Sequence, residues 1–216
     1  MSAIEQAKVT VGIYVFDEVE VLDFAGPFEV FSTATRVSRR LRPELPPPFS
    51  VTLIADRPRT VSARGGLPVV ASAAFAQHPP LDLFLVPGGE VSQELKRDDV
   101  RDFIARTAGN TALTASVCTG AFLLARAGLL DGRRVTTHWE DIEDLRRMFP
   151  ALTVQADRAW IDAGSIVTSA GISAGLDMSL YLVSRLASLD LAERTARQMD
   201  YDWRRRELDA PPTPLA

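Results

Sequence analysis

Short β-branched apolar runs recur along this chain and alternate with stretches of helical spacing. "VTVGIYVF" (9–16), "FSVTLIA" (49–55), "LDLFLVPGG" (81–89) and "TALTASV" (111–117) read as buried strands. Between them, "GPFEVFSTATRVSRR" (26–40) carries Phe28, Val30, Phe31 and Val37 at helical spacing, with Pro27 suited to a first turn. "DDVRDFIARTAG" (98–109) has acids in its first turn and Gly109 at its end. "TVSARGGLPVVAS" reads as a hairpin around Gly65-Gly66. Further on, "TGAFLLARAGLL" is a helix with Gly128 as C-cap. "RVTTHWEDIEDLRRMFP" holds a short strand and a helix ended by Pro150. "LTVQADRAWIDAGSIVTSAG" reads as strands with an Ala163-Gly164 turn. Two more helices follow, "ISAGLDMSLYLVSRLAS" and "LDLAERTARQMDYDWRRREL", then a tail, "DAPPTPLA". This alternation predicts an α/β fold, a mostly parallel sheet with helices on both faces. In such sheets sites lie beyond the carboxyl ends of strands. Asp23, Gly88-Gly89 and Cys118 fall at three such ends. With no linker or repeat in view, 1–216 reads as a single domain, its core at about 8–188 and a C-terminal helix and tail at 189–216.

Composition narrows the function classes. Hydrophobic residues make up 46% of 216, enough for a full core, and no run reaches the ~18 apolar residues of a membrane span. A net charge of −4 gives no electrostatic reason to bind nucleic acid. The basic cluster "DWRRREL" (202–208) has acidic neighbours and reads as a solvated helix face. The N-terminus lacks the features of a signal peptide. A single cysteine forms no internal disulfide and fits a reducing cytoplasm. Two histidines and one cysteine make no metal cluster, so no metal is expected. Phosphate-cradling glycine motifs are absent, so no cofactor is expected either.

The single cysteine, Cys118, stands in "SVCTG" between a strand and a helix, with small residues, Ser116 and Gly120, two positions to either side. By residue type alone it reads as a small buried hydrophobe. Its position is that of a nucleophile elbow, where the following helix lowers a thiol pKa. Asp23, in "VEVLDFAGPFEVF", reads either as a helix N-cap or as a general acid and base beside the elbow. Gly88 and Gly89 offer free backbone N–H groups to developing negative charge, or form a plain tight turn. His138, in "TTHWED", reads either as a partner to the cysteine or as a loop residue beside Trp139, and His78 as a loop residue. Phe24, Phe28 and Trp139 are candidates for an apolar pocket and equally for core.

Taken together, "LDFAGPFEVF", "VPGG", "SVCTGAFLLARAGLLDGRRVTTHW" and "TSAGISAGLDMSL" resemble the DJ-1/PfpI superfamily, over nearly the whole chain. They are similar above all to its isocyanide hydratase branch and to the amidase-like sensor domains of AraC-type regulators. The resemblance implies a flavodoxin-like three-layer sandwich that forms a homodimer, with Cys118 reactive and Asp23 as its acidic neighbour. The hydratase branch has Asp there, whereas the DJ-1 and PfpI branches have Glu. PfpI-type proteases carry His after the cysteine; Thr119 stands here, which argues against a protease. The implied reaction is hydration of a small-molecule isocyanide to an N-substituted formamide, with Thr119 and the backbone around Ile172 orienting sulfur and water. Sensing and redox roles are the alternatives. No helix-turn-helix region follows "DAPPTPLA", so a stand-alone protein is expected.

Overall fold

The structure is a computed structural model that describes residues 8–203. Its centre is a seven-stranded sheet. The strands are β1 (Val9–Tyr14), β2 (Phe49–Ala55), β5 (Ala73–Ala74), β6 (Leu83–Val86), β7 (Leu113–Val117), β10 (Trp160–Asp162) and β11 (Ile166–Ser169). Their spatial order is β10-β11-β7-β6-β1-β2-β5, and every pairing is parallel except that of the edge strand β10 with β11. β3 (Arg59–Ser62) and β4 (Pro68–Ala71) form the expected hairpin, and β8 (Arg134–Val135) pairs with β9 (Thr153–Val154).

The inner strands are buried on both faces because helices surround the sheet. α1 (Val21–Leu41), α5 (Ala174–Leu186) and α6 (Leu189–Gln198) pack on one another, and α2 (Asp98–Gly109) packs on α3 (Gly120–Arg126); α4 (Ile142–Met148) covers β9. This accounts for runs such as Leu83–Val86 and Leu113–Val117, which are apolar or small throughout rather than alternating. Leu191, Ala192 and Ala196 of α6 join the hydrophobic core, so the core continues past the expected limit at 188. α6 stops at Gln198, short of the helix expected through 208; "RRREL" and "DAPPTPLA" lie outside the described residues. Among the described residues no helix is long and apolar enough to cross a membrane.

The start of α1 departs from expectation in a way that shapes the site. The helix begins at Val21, and the Glu20 carboxylate caps it by accepting the Val21 N–H at 3.2 Å. Asp23 is therefore inside the first turn and is not the N-cap. Pro27 lies a full turn further in than a first-turn proline would. With no N–H on Pro27, the carbonyl of Asp23, four residues back, has no helical donor there.

Candidate functional site

The carboxyl ends of β6 and β7 and the first turn of α1 converge on one point. Cys118 follows β7 directly and takes a left-handed backbone, φ +57°, uncommon for a residue with a side chain. Four contacts hold that turn. The Cys118 N–H donates to the carbonyls of Ser169 (3.2 Å) and Ala170 (3.3 Å), and its carbonyl accepts from Thr137 Oγ1 (2.9 Å) and the Ala121 N–H (3.3 Å). The expected requirement for small neighbours is met at Gly120, where a Cβ would stand 2.1 Å from the Val86 carbonyl oxygen. The missing side chain at Gly120 lets α3 start against the backbone at the end of β6.

Asp23 is fully buried beside it, at 0% exposure. Its Oδ2 accepts the Gly88 N–H at 3.1 Å, whereas its Oδ1 is buried without a hydrogen-bond partner. Burial pushes the Asp23 pKa from the ordinary 3.8 up to about 7; the Gly88 N–H opposes this, the Glu20 charge adds to it, and the Cys118 thiol and the Ile172 N–H favour the ionised form. Because Oδ2 is occupied as an acceptor, the proton of the neutral acid belongs on Oδ1.

The thiol differs from expectation. Cys118 is 8% exposed, and burial first and the Asp23 charge second push its pKa well above the ordinary thiol value; the Thr119 N–H pulls the other way, and Asp141 adds a further negative charge. One backbone N–H at the head of a seven-residue helix does not offset that desolvation. The resting thiol is neutral, with a carboxyl group beside it whose two protonation states are close in energy at neutral pH.

The Gly88-Gly89 turn also differs from the free-donor expectation. Both N–H groups are engaged: Gly88 donates to Asp23, and Gly89 donates to Thr119 Oγ1 at 2.9 Å. Thr119 Oγ1 in turn lies 2.9 Å from the Gly89 carbonyl oxygen. The turn therefore fastens the acid and the residue after the cysteine to the end of β6. Gly89 has φ +135°, and a Cβ there would meet the Glu18 carbonyl oxygen at 2.3 Å.

Thr119, Gly89 and Ile172 thus gather around Cys118 and Asp23. His138 does so only through its neighbour Thr137, whose Oγ1 donates to the Cys118 carbonyl. Among the described residues no hydrogen bond or ion pair joins its ring to Cys118. Its Nδ1 turns to its own loop, 3.4 Å from the Glu140 N–H and 3.5 Å from Asp141 Oδ2, and the ring stands 5.6 Å from that of Trp139. A Cys–His pair is not formed because this nitrogen caps the turn that precedes α4. Of the aromatic candidates, Phe24 is core, while Phe28 and Trp139 are exposed at 39% and 75%. Trp139 lines a cavity of about 730 Å³ with Thr137, His138, Arg146, Arg158 and Ile172. Sequence reasoning missed three participants: the Gly88 N–H as the partner of the acid, Thr137 as a brace of the elbow, and Asp141 as a charge felt by the thiol. Only the "GG" pair carried a local signal.

The DJ-1/PfpI family model matches residues 9–185. The isonitrile hydratase of Pseudomonas putida is 34% identical over 192 residues, which cover 88% of this chain and 78% of the hydratase. The HTH-type transcriptional regulator GbdR of Pseudomonas aeruginosa is 30% identical over 207 residues; these cover 95% of this chain but 54% of the regulator, about half its length. Among solved structures, a ThiJ/PfpI family protein from Pseudomonas syringae superposes with a TM-score of 0.79 at 25% identity, covering 92% of this chain and 77% of that one. Drosophila melanogaster DJ-1beta shares the fold, with a TM-score of 0.76 at 16% identity over 91% of this chain and all of that one. With its fold, its elbow and these relatives in agreement, the chain belongs to the DJ-1/PfpI family.

Proposed function

We propose that this protein hydrates an isocyanide to an N-substituted formamide, with Cys118 as nucleophile and Asp23 as general acid and base. The observation that carries this reading is the buried Asp23 carboxyl beside the thiol, with Oδ1 unpartnered and its pKa pushed up to about 7. A proton-transfer group works best when its pKa is near the working pH. The neutral thiol needs a base as it attacks, and the ionised Asp23 supplies one. As sulfur bonds to the isocyanide carbon, Asp23 takes the thiol proton and passes it to that carbon, giving a thioimidate. Water then adds to the carbon: Asp23 accepts one of its protons and passes it to the nitrogen, leaving a hydroxyl adduct whose O–H proton Asp23 takes next. Collapse to the formamide breaks the carbon–sulfur bond, and the thiol recovers its proton from Asp23. The sum is one isocyanide plus one water, with the enzyme unchanged. The reading takes a cytoplasmic homodimer as the working form, without metal, cofactor, nucleic acid or membrane.

The relationship to GbdR favours a second reading, a small-molecule-sensing domain without turnover. A redox role draws less support, since a buried thiol with a raised pKa is slow to oxidise. Incubation with cyclohexyl isocyanide, with formamide measured by mass spectrometry, separates the first two. Wild type is expected to produce formamide, while Cys118→Ala and Asp23→Asn produce none. Binding of the isocyanide without turnover by wild type would favour the sensing role.

A further inference from the structure

The loop that follows β11 holds a conformation it would not choose alone. Ile172 is a β-branched residue in the left-handed region, φ +52°, and such strain persists where the surroundings enforce it. Its N–H is one of the groups that face the Asp23 carboxyl. The residue before it, Gly171, lies against the ring of His138, and a Cβ there would stand 2.0 Å from His138 Cδ2 and 3.0 Å from Cγ. Gly171 is not in the left-handed region, so glycine serves here for space and not for backbone freedom. On its other side, the His138 segment is fastened to the same assembly. The Thr136 N–H donates to Thr168 Oγ1 at 2.9 Å, and Thr137 Oγ1 donates to the Cys118 carbonyl at 2.9 Å. The ring is thus wedged between a segment tied to the elbow and the backbone that carries the Ile172 N–H.

We propose that His138 is a positioning residue: its ring, through contact with Gly171, holds Ile172 in its strained turn and so aims the Ile172 N–H at Asp23. This rests on Asp23 as the proton-transfer group of the proposed reaction, but it assigns His138 no proton transfer and no contact with the sulfur. What matters is the bulk of the ring, not its charge. The charged groups beside its Nδ1 are Glu140 and Asp141, of which Asp141 also acts on the thiol, and Glu143, Arg146, Asp157 and Arg158 line the same cavity. Those around Asp23 are Glu20 and the Cys118 thiol.

The test reads the site without any isocyanide. Cys118 is the only cysteine, so the rate of its alkylation by iodoacetamide against pH reports the lower step of the coupled Asp23–Cys118 titration. With the N–H turned away, the ionised acid loses one of the backbone dipoles that favour it. In His138→Ala the step is expected to move up by about one pH unit. In His138→Phe, which keeps a flat ring but removes the nitrogen facing Asp141 as Ala does, the step is expected to stay at its wild-type position. Gly171→Ala pushes the ring away from the other side and is expected to move the step as His138→Ala does, which keeps the test valid should either variant fold poorly. A wild-type profile in folded His138→Ala or Gly171→Ala would overturn the proposal. So would an equal shift in the Phe and Ala variants, since the ring's nitrogen and not its bulk would then matter. These shifts in the variants, together with a wild type that forms no formamide, would sink the reaction and leave the wedge standing.

Discussion

Asp23→Asn should make the protein more stable, and increasingly so as pH rises. The side chain is completely buried, and its pKa stands near 7 against 3.8 for an ordinary Asp. Between those two values the folded protein holds a proton on this group that the unfolded chain has released. Stability therefore falls as pH rises through that window, because the native state binds more protons than the unfolded one. A displacement of about three units corresponds to about 4 kcal/mol at pH 8, and to almost nothing below pH 3. Asparagine removes the titration and keeps a side-chain oxygen for the Gly88 N–H, so its other effects form an offset that does not vary with pH. The assay is urea unfolding of wild type and Asp23→Asn at equal protein concentration, in steps from pH 4 to 8.5. The difference in unfolding free energy should widen in favour of the variant by about 1.4 kcal/mol per pH unit between about 4 and 7 and then level off. Every other titrating group largely cancels in the difference. A constant difference would refute the reasoning, since it would mean that Asp23 ionises in the folded protein as readily as in water.

Two further variants probe how the elbow is held. Gly120→Ala places a methyl group 2.1 Å from the Val86 carbonyl oxygen, with backbone on both sides and little room to yield. It should cost about 3 kcal/mol, a fall of roughly 10 °C in melting temperature by differential scanning calorimetry for a chain of this size, and a fall under 2 °C would show that the close approach is not tight. Thr119→Val keeps the shape but removes the hydroxyl that joins both the N–H and the carbonyl of Gly89. It should cost about 2 kcal/mol in urea unfolding, and a loss below about 0.5 kcal/mol would show that the Gly88-Gly89 turn holds its place without it.

Much of the scaffold can be read locally. β2 and α2 lie at the residues their patterns indicate, 49–55 and 98–109, because each is bounded by its own stop signals: a proline run before Phe49, acids at Asp98-Asp99 and a glycine at 109. The start of α1 was obscured by Pro27. A proline suited to a first turn points to a start near 26, whereas the helix begins at Val21, capped by Glu20, and tolerates the proline at its seventh position. The chemistry was legible by place and not by magnitude. That Cys118 sits at an elbow follows from "SVCTG", but the direction of its pKa shift depends on what buries it, and Asp23 arrives from a segment nearly a hundred residues away. The same holds for the glycine pair. Its turn is local; the use of both N–H groups to bind Asp23 and Thr119 is a tertiary fact. The contact of His138 with Gly171 crosses more than thirty residues and leaves no pattern in either segment.

The energetic position of Asp23 bears on the choice between turnover and sensing. At neutral pH this carboxyl destabilises the fold. It is buried, one oxygen is unpartnered, and the one hydrogen bond of normal geometry that it accepts does not restore an ordinary pKa. An asparagine would keep that hydrogen bond, fill the same space and remove the penalty, so the acid is a poor choice for holding the elbow in shape. A sensing pocket needs shape and complementary polarity, both of which an amide supplies. A reaction that moves one proton from sulfur to carbon and another from water back to sulfur needs a group that both forms of the site can tolerate, and an amide cannot be that group. The cost of about 4 kcal/mol is therefore better explained by proton transfer than by recognition. The neutral thiol points the same way: sulfur that ionises only as its neighbour takes the proton is idle until a substrate that needs both atoms is in place.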